Sequence, residues 1–306
     1  MDIHPEQMHH RIITLFMRLI TRADFDGIVC GVLLTSQEAI DSFLFVEPKS
    51  MQDSEVEISD KDIIANLPYH PKCALWFDHH ITNRIAGPFR GDFRIAPSAA
   101  RVVYDYYSSD SLRCYDELVF YADRIDSGNL EVSDILDPHD YVLLSFTIDP
   151  KEKSDEPYWR ELIRLLRDLP IAAVMEHAEV KTRCRQVLED FKTYHELVLK
   201  NARQESNVVV MDFRNEDFQG SENRFLVYTL FPEATVSVRI FKDSQREGRV
   251  GISVGKNIFN KASTINVGEL LSEYGGGGHE GAGSSRVPEA DADRVLQEII
   301  QRLKKG

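Results

Sequence analysis

The stretch Ala74-Leu75-Trp76-Phe77-Asp78-His79-His80 places an aspartate and two histidines directly after four apolar residues. Such a short apolar run is typical of a strand that is buried on both faces of a parallel sheet. In open α/β sheets, ligands bind outside the carboxyl ends of the strands. The stretch therefore predicts a group of functional side chains at the end of a buried strand.

Two further clusters of the same residue types lie in the first half of the chain, Asp24-Phe25-Asp26-Gly27 and Asp123-Arg124-Ile125-Asp126-Ser127-Gly128. Each of them closes a predicted strand or helix. Carboxylates and imidazoles that converge at one edge of a sheet suit Mn²⁺ or Mg²⁺. Such an ion polarises a phosphoryl oxygen and lowers the pKa of a bound water molecule. The three clusters together predict a metal site suited to phosphoryl chemistry.

Each cluster taken alone also has a structural explanation. The pattern Asp-x-Asp-Gly is common in turns, because aspartate and glycine favour them. Asp126-Ser127-Gly128 can simply end a helix, and Asp123 fits a helix surface or an ion pair with Arg124. An Asp-His-His run after an aromatic strand is rarer, so the combination carries more weight than any single cluster.

The hydrophobic pattern predicts an α/β fold with a parallel sheet in the first half of the chain. Predicted strands lie within residues 7–20 and at 42–46, 62–65 and 74–77, and predicted helices at 28–39, 98–107 and 116–126. The second half is predicted to contain a long helix at 178–203, strands at 208–211, 225–230, 234–241, 250–254 and 284–287, and helices at 266–274 and 290–304.

A length of 306 residues fits two domains better than one. We expect a parallel-sheet domain over residues 1–177 and a smaller α/β domain over residues 207–306. The long helical stretch over residues 178–206 is expected to link them.

The net charge of -14 disfavours a protein that binds a long nucleic acid through a broad basic face. A small or short phosphate-rich substrate fits better.

No apolar stretch approaches the roughly 18 residues of a membrane span, and the first residues lack the features of a signal peptide. The scattered cysteines form no C-x-x-C pair, and three of them, Cys30, Cys73 and Cys114, are expected to be buried free thiols. We expect a cytoplasmic protein that does not bind membranes.

The three clusters resemble the motifs of the DHH–DHHA1 phosphoesterases. This family includes RecJ-like exonucleases, nanoRNases, cyclic-dinucleotide phosphodiesterases and exopolyphosphatase-related proteins. In the second half, Gly275-Gly276-Gly277-Gly278-His279-Glu280-Gly281-Ala282-Gly283 resembles the G-G-G-H-x-x-A-G signature of the DHHA1 domain. The resemblance covers nearly the whole chain. It implies an N-terminal DHH domain and a C-terminal DHHA1 domain that binds the substrate.

The resemblance also implies roles for the clustered side chains. One ion, Mn²⁺ or Mg²⁺, would be held by Asp26, His79 and Asp126. Asp24 would hold a second ion. His80 would lie next to the scissile phosphate, and Asp78 would orient a histidine ring through a hydrogen bond.

Two positions depart from the family pattern. A metal-binding histidine usually precedes the first aspartate pair, but Ile20 and Arg22 stand at its two usual positions. An aspartate that bridges both ions usually ends the strand before Asp-His-His, and its best match here is Asn66. We therefore hypothesise one ion, or a weak second one, with Arg22 holding a phosphate oxygen in catalysis. The alternative is that Arg22 only pairs with a nearby aspartate.

The expected substrate contacts are Arg239, Gly276, Gly277, Gly278, His279 and Ser98. Backbone N–H groups of the glycine run can approach an anion without obstruction by a Cβ atom. Arg239 resembles a family position that contacts a phosphate or a base, although a surface strand arginine is an alternative. Ser98 starts a helix whose N-terminus can face a phosphate, although capping alone also explains it.

These observations favour a metal-dependent phosphoesterase that hydrolyses a phosphodiester or phosphoanhydride. The expected substrates are a short single-stranded nucleic acid, a dinucleotide, a nucleoside bisphosphate or polyphosphate. The alternative is a catalytically degenerate protein that binds a nucleotide or phosphate on the same fold. The resemblance also allows a homodimer.

Overall fold

The computed structural model describes residues 16–243 and 246–306, so the part of the first predicted strand before residue 16 lies outside the described residues. The chain forms two compact units. The first contains the residues up to Ser127 together with Ile148–Pro170, and the second contains Gly128–Thr147 together with Ile171–Gly306. The sequence instead predicts one domain over residues 1–177 and another over residues 207–306, joined by a linker over residues 178–206.

The strands are, in chain order, β1 (Met17–Thr21), β2 (Ile40–Phe45), β3 (Asp62–Ala65), β4 (Leu75–Asp78), β5 (Gly91–Phe93), β6 (Ala202–Glu205), β7 (Val208–Asp212), β8 (Val236–Lys242), β9 (Arg249–Lys256), β10 (Gly277–Gly278) and β11 (Ala282–Pro288). The helices are α1 (Phe25–Thr35), α2 (Pro48–Gln52), α3 (Ala99–Tyr107), α4 (Asp116–Asp126), α5 (Val132–Leu136), α6 (Asp140–Ser145), α7 (Glu156–Asp168), α8 (Ile171–Glu176), α9 (Ala178–Asn201), α10 (Leu226–Leu230), α11 (Val267–Ser272) and α12 (Ala292–Leu303).

The first unit is built on a parallel sheet in the order β2-β1-β3-β4-β5. The predicted parallel sheet is therefore confirmed, and β5 is an additional strand that the sequence pattern did not indicate. Because the strands are parallel and in register, the carboxyl ends of β1, β3 and β4 lie side by side. At the opposite end of β3, Asp62 accepts hydrogen bonds from the Arg18 side chain of β1, with Nε 2.8 Å from Oδ1. Asp62 is therefore a structural partner of β1.

Helix α1 lies in the core of this unit, and its residues from Phe25 to Leu34 are all buried. Helix α7, from the separate segment Ile148–Pro170, packs against it. Gly31 of α1 makes room for Ile163, because a Cβ atom there would lie 2.6 Å from the Ile163 side chain. Trp159 of α7 is fully buried and contacts Phe45 edge to face. These contacts explain why a segment after residue 147 belongs to the first unit.

The second unit contains a mixed sheet in the order β10-β11-β9-β8-β7-β6, in which only β7 and β8 pair in parallel. One face of the sheet forms a hydrophobic core with α11 and α12. The long helix α9 ends close to the predicted position. It groups with this unit, whereas the sequence suggested a separate linker.

Two local predictions are wrong. Residues 225–230, expected to form a strand, contain helix α10, because an apolar run this short does not distinguish a strand from a buried helix. Cys114, expected to be buried, is exposed in a 3-10 turn, and Cys73 is half-buried. Cys30 and Cys184 are buried free thiols.

The backbone itself requires most of the glycine run. Gly275 has a φ of +70°, a conformation that other residues rarely adopt. A Cβ atom at Gly276 would lie 2.3 Å from the carbonyl oxygen of Ser284, and one at Gly278 would lie 2.3 Å from that of Ala282. Gly277 differs, because nothing lies within 4 Å of the position of its Cβ atom.

We expect Gly276→Ala to lower the free energy of unfolding by about 1–3 kcal/mol, because the new methyl group would overlap backbone that cannot move aside. Gly277→Ala is the matched control. It should leave the free energy unchanged or raise it by up to about 1 kcal/mol, since alanine restricts the unfolded chain. Urea unfolding measures both values, and equal losses in the two variants would contradict this account.

Candidate metal and phosphate site

The turn from β1 into α1 holds the first aspartate pair. Asp24 is the N-cap of α1 and accepts a hydrogen bond from the backbone N–H of Gly27 at 2.9 Å. Gly27 must be glycine, because a Cβ atom there would lie 1.9 Å from the carbonyl oxygen of Arg22. The motif Asp-x-Asp-Gly is therefore both a helix cap and a tight backbone contact, and it places Asp26 in the first turn of α1.

Asp26 is buried, and the first turn of α3 holds its carboxylate. The backbone N–H groups of Ala99 and Ala100 donate to its two oxygens at 2.8 Å each. Burial and, after it, the negative charge of Asp24 raise the pKa of Asp26, and the two N–H groups lower it, so that its net value is about 7. The N-terminus of α3 therefore compensates only part of the cost of burying this acid.

His79 faces two carboxylates with a nitrogen that has no hydrogen-bond partner. Its Nδ1 lies 2.9 Å from the carbonyl oxygen of Ala96, which can only accept a hydrogen bond, so in the neutral ring Nε2 carries the lone pair. This buried Nε2 lies 3.8 Å from Oδ2 of Asp26 and 3.3 Å from Oδ2 of Asp126. The second ring nitrogen of a metal-bound histidine usually donates to a carboxylate, a backbone carbonyl or water, and here the carbonyl of Ala96 has that position.

Asp126 ends α4 and completes this group. Burial, together with the charges of Asp26 and Asp24, raises the pKa of the Asp126 carboxyl. The potential ligand atoms of Asp26, His79 and Asp126 all lie within 4.8 Å of one another. Two carboxyl groups and an imidazole nitrogen that converge on one point are suited to a divalent cation, so these residues could hold a metal ion.

Asp78 and His80 form a separate pair. Asp78 is fully buried, and its Oδ1 lies 2.8 Å from Nδ1 of His80 while its Oδ2 accepts from Asn83 at 2.7 Å. Asp78 also accepts from the backbone N–H of His79 at 2.8 Å. Although Asp78, His79 and His80 are close enough to form a metal site, the oxygens of Asp78 are already engaged by these donors.

The pair orients His80 and favours its protonated form. Burial lowers the pKa of His80, but the hydrogen bond and the charge of Asp78, with the charges of Asp126 and Asp26, bring the net pKa above its ordinary value. Because Nδ1 donates to Asp78, the ring is held with Nε2 on its other side. A half-buried imidazole that is protonated more readily than usual can donate a hydrogen bond to an anion.

Asp24 is surrounded by donors. Its Oδ2 accepts from Nη1 of Arg22 at 3.0 Å, and its Oδ1 accepts from the Asn66 amide at 2.9 Å. Arg22 also lies 3.4 Å from Glu47. The pairing of Arg22 with a nearby aspartate is therefore present, and no group of metal-ligand atoms among the described residues includes Asp24. Asn66 directly follows β3 with a φ of +58°, a conformation that asparagine tolerates better than most residues.

The structure gives Ser98 a capping role. Its hydroxyl is buried, accepts from the backbone N–H of Arg101 at 3.0 Å and donates to Asp123 at 2.7 Å. It is therefore already used within the unit, which disagrees with a direct substrate contact. Asp123 forms its ion pair with Arg101, at 2.8 Å, where the sequence suggested Arg124.

In the second unit, Arg239 lies on β8 with its guanidinium over the rings of Phe241 and Phe213, at 4.6 and 5.7 Å from their centroids. It also forms an ion pair with Glu222. A guanidinium held against aromatic rings is pre-oriented for stacking or for an anion.

The glycine run contributes fewer backbone donors than expected. The N–H groups of Gly275, Gly276 and His279 donate to carbonyl oxygens of Ser272, Leu271 and Ala282. Gly277 and Gly278 pair with β11 as strand β10. The side chain of His279 is exposed. Fewer N–H groups are therefore available to bind an anion than expected, and open space lies above Gly277.

Several groups of this site were missed from the sequence. The carbonyl of Ala96 and the N–H groups of Ala99 and Ala100 are backbone atoms, which leave no residue-type signal. Asn83 and Glu222 are side chains whose roles depend on tertiary contact. The N-cap pattern at Ser98 did indicate a helix N-terminus near a phosphate, but not that its N–H groups hold Asp26.

Membrane-spanning helices are absent from the described residues, because none of the helices there combines the required length with the required hydropathy.

Comparison with known proteins identifies relatives through structure. No family model matches the chain, and no curated protein matches it. The chain is similar to the pGpG-specific phosphodiesterase PggH from Vibrio cholerae, with 34% identity, coverage of 94% of this chain and 99% of that chain, and a TM-score of 0.83.

Two more distant likenesses concern the fold alone. The chain is similar to a DHH domain described as that of a member of a ribosomal protein family, with 13% identity, coverage of 94% of this chain and 87% of that chain, and a TM-score of 0.62. It is similar to RecJ from Thermus thermophilus in complex with Mn²⁺, with 13% identity, coverage of 95% of this chain and 52% of that chain, and a TM-score of 0.58. The full-length similarity to PggH, together with the DHH fold, shows that the chain belongs to the DHH family of phosphoesterases, which are hydrolases.

Proposed function

We propose that this protein is a metal-dependent phosphodiesterase of small nucleotides, with a linear dinucleotide such as pGpG as its substrate. The observation that carries the proposal is the buried Nε2 of His79, which faces Asp26 and Asp126 without a hydrogen-bond partner. The similarity to a pGpG-specific phosphodiesterase over nearly the full length of both chains supports the substrate class. The net charge of -14 also favours a small anionic substrate over a long one.

Asp26, His79 and Asp126 would hold the cation, Mn²⁺ or Mg²⁺. When bound, such a cation polarises a phosphoryl oxygen and lowers the pKa of a water molecule. Asp26 is anchored by two backbone N–H groups and His79 by one carbonyl, so both ligands are oriented before a cation arrives. This preorganisation lowers the cost of assembling the site.

His80 would stabilise the negative charge that develops on the phosphate. Asp78 holds its Nδ1 at 2.8 Å, which fixes the ring and raises the proportion of imidazolium near neutral pH. The protonated ring donates a hydrogen bond to a phosphate oxygen, and that bond strengthens as charge accumulates in the transition state.

We further propose that the site holds one tightly bound cation. A second cation beside Asp24 would have to displace both the guanidinium of Arg22 and the amide of Asn66. Asn66 carries no negative charge, so it cannot compensate a second cation as an aspartate would. Arg22 instead places a permanent positive charge beside Asp24 and can donate to a phosphate oxygen through its planar fork.

In the second unit, Arg239, Gly277 and His279 are the proposed substrate contacts. Arg239 is oriented by Phe241 and Phe213. Gly277 is the glycine of the run where no backbone contact would obstruct a side chain. A cytoplasmic location and a homodimer stay predictions from the sequence.

The proposed activity is tested by adding Mn²⁺ and pGpG to the purified protein and measuring GMP release. His80→Ala should lower kcat by about 10²–10⁴-fold, the usual range for a lost proton donor, while Mn²⁺ still binds. Asp126→Asn should abolish tight Mn²⁺ binding and turnover together. The exposed histidine variant His139→Ala should behave as the wild type. Intact Mn²⁺ and pGpG binding without turnover would favour the degenerate binding protein instead.

The number of cations is tested by metal analysis of the dialysed protein. We expect one tightly bound Mn²⁺ per wild-type chain, and two in the Arg22→His, Asn66→Asp double variant, because it supplies an imidazole and a carboxylate beside Asp24. Arg22→Ala should retain one Mn²⁺ and lose about 10–100-fold in kcat through the missing charge-assisted hydrogen bond. Two tightly held ions in the wild type would refute the one-cation site.

The affinity for Mn²⁺ should depend on pH through Asp26. Without metal, the folded protein keeps the Asp26 proton up to a pH of about 7, whereas the unfolded chain releases it near its ordinary pKa of 3.8. The free energy of unfolding therefore decreases from about pH 4 to pH 7, and Mn²⁺ must compete with the proton over that range.

We expect Mn²⁺ to raise the melting temperature more at pH 8 than at pH 6, with an affinity that is about tenfold higher at pH 8. Thermal unfolding with and without MnCl₂ at both pH values measures this, and Asp126→Asn should show no shift at either pH. An equal shift at pH 6 and pH 8 would contradict the role of Asp26.

A further inference from the structure

The segment of residues 96–100 contacts two of the proposed metal ligands through its backbone. The carbonyl of Ala96 accepts from Nδ1 of His79, and the N–H groups of Ala99 and Ala100 donate to Asp26. Any shift of this segment would therefore move both ligands. The third ligand, Asp126, lies on a different helix, α4.

Asp123 connects the segment to α4. Its Oδ1 accepts from the hydroxyl of Ser98 at 2.7 Å, and its Oδ2 accepts from Nε and Nη2 of Arg101 at 3.0 and 2.8 Å. Asp123 is three residues before Asp126 on the same helix, so both side chains lie on one face of α4. The same helix face thus carries a metal ligand and the anchor for the N-terminus of α3.

The hydroxyl of Ser98 caps α3 and at the same time donates a hydrogen bond to Asp123. Ser98 is fully buried, and its oxygen accepts from the backbone N–H of Arg101 at 3.0 Å. With the proton directed to Asp123, a lone pair remains for this N–H group. The first-turn N–H groups of Ala99, Ala100 and Arg101 are then all used, two by Asp26 and one by Ser98.

We propose that Asp123 is a positioning residue that sets the separation of Asp26 and Asp126, and with it the fit of the divalent cation. It acts through Ser98 and Arg101, which fix α3 to α4, and it does not contact the cation. The inference rests on the proposed metal site formed by Asp26, His79 and Asp126. Ser98, expected from the sequence to bind substrate, instead caps α3 and links it to Asp123.

A purely structural role for Asp123 makes a different prediction. If the contact only stabilised the helix, its loss would lower the folded fraction, and the remaining folded molecules would bind Mn²⁺ as the wild type does. If Asp123 sets the ligand separation, the folded variant itself binds Mn²⁺ more weakly. The dissociation constant for Mn²⁺, measured on folded protein in the absence of substrate, separates the two.

We expect Asp123→Ala to raise the Kd for Mn²⁺ about 10–100-fold, the range for losing a residue outside the ligands that supports their positions. Saturating Mn²⁺ should then recover most of kcat. Asp123→Asn should give a smaller increase, because its amide oxygen can still accept from Ser98. Asp105→Ala is the matched control, since it removes the other carboxylate near Arg101, at 3.7 Å, and leaves Ser98 and Asp123 in place. It should keep the wild-type Kd.

Calorimetric titration with MnCl₂ gives the Kd, and circular dichroism confirms that each variant is folded. A folded Asp123→Ala variant with the wild-type Kd would overturn the proposal. If that variant does not fold, Ser98→Ala and Ser98→Thr decide it. Ser98→Thr keeps the hydroxyl and should keep the wild-type Kd for Mn²⁺, whereas Ser98→Ala should raise that Kd. Equal Kd values for the two variants would overturn the proposal. Absence of pGpG turnover in a wild type that binds Mn²⁺ would count against the proposed function alone.

Discussion

The burial of the Asp26 carboxylate on the first turn of α3 is the constraint on which the first unit's site depends. Two backbone N–H groups at 2.8 Å hold the carboxylate, yet burial and the nearby Asp24 still raise its pKa to about 7. A buried acid is costly when its charge is only partly compensated. Asp126 adds a second carboxylate within 4.8 Å of the same point. A divalent cation removes this cost more fully than a proton, because it compensates both carboxylates at once.

The same turn explains why one cation position differs from the other. Asp24 and Asp26 are two residues apart, but they end in different surroundings. Asp26 accepts from two backbone N–H groups and lies within 4.8 Å of ligand atoms of His79 and Asp126, whereas Asp24 receives hydrogen bonds from Gly27, Arg22 and Asn66. A guanidinium supplies positive charge without dissociating, so Asp24 is compensated at every metal concentration. The proposed difference between the positions therefore follows from side chains already in contact.

The sequence predicted the parts of the site that depend on residue type. The clusters at residues 24–26, 78–80 and 126 stand out because three groups of carboxylates and imidazoles, each at the end of a predicted strand or helix, occur together. The departures at Arg22 and Asn66 are likewise visible from residue type. The carbonyl of Ala96 and the N–H groups of α3 could not be predicted, since every residue carries them. The strand predicted for the apolar run at residues 225–230 is wrong because burial by tertiary packing, and not periodicity, decides its structure.

The glycine run and Ser98 are sequence motifs whose structural roles account for most of their residues. The sequence predicts substrate contacts at both, and both have uses within the fold. Gly276 and Gly278 are required by close backbone contacts, and Ser98 is buried between α3 and Asp123. Gly277 is left without such a reason, because its Cβ position is open. A side chain there would meet only a molecule that binds from outside. Gly277 is therefore the position in this run where a substitution that lowers activity without lowering stability would indicate a contact with the substrate.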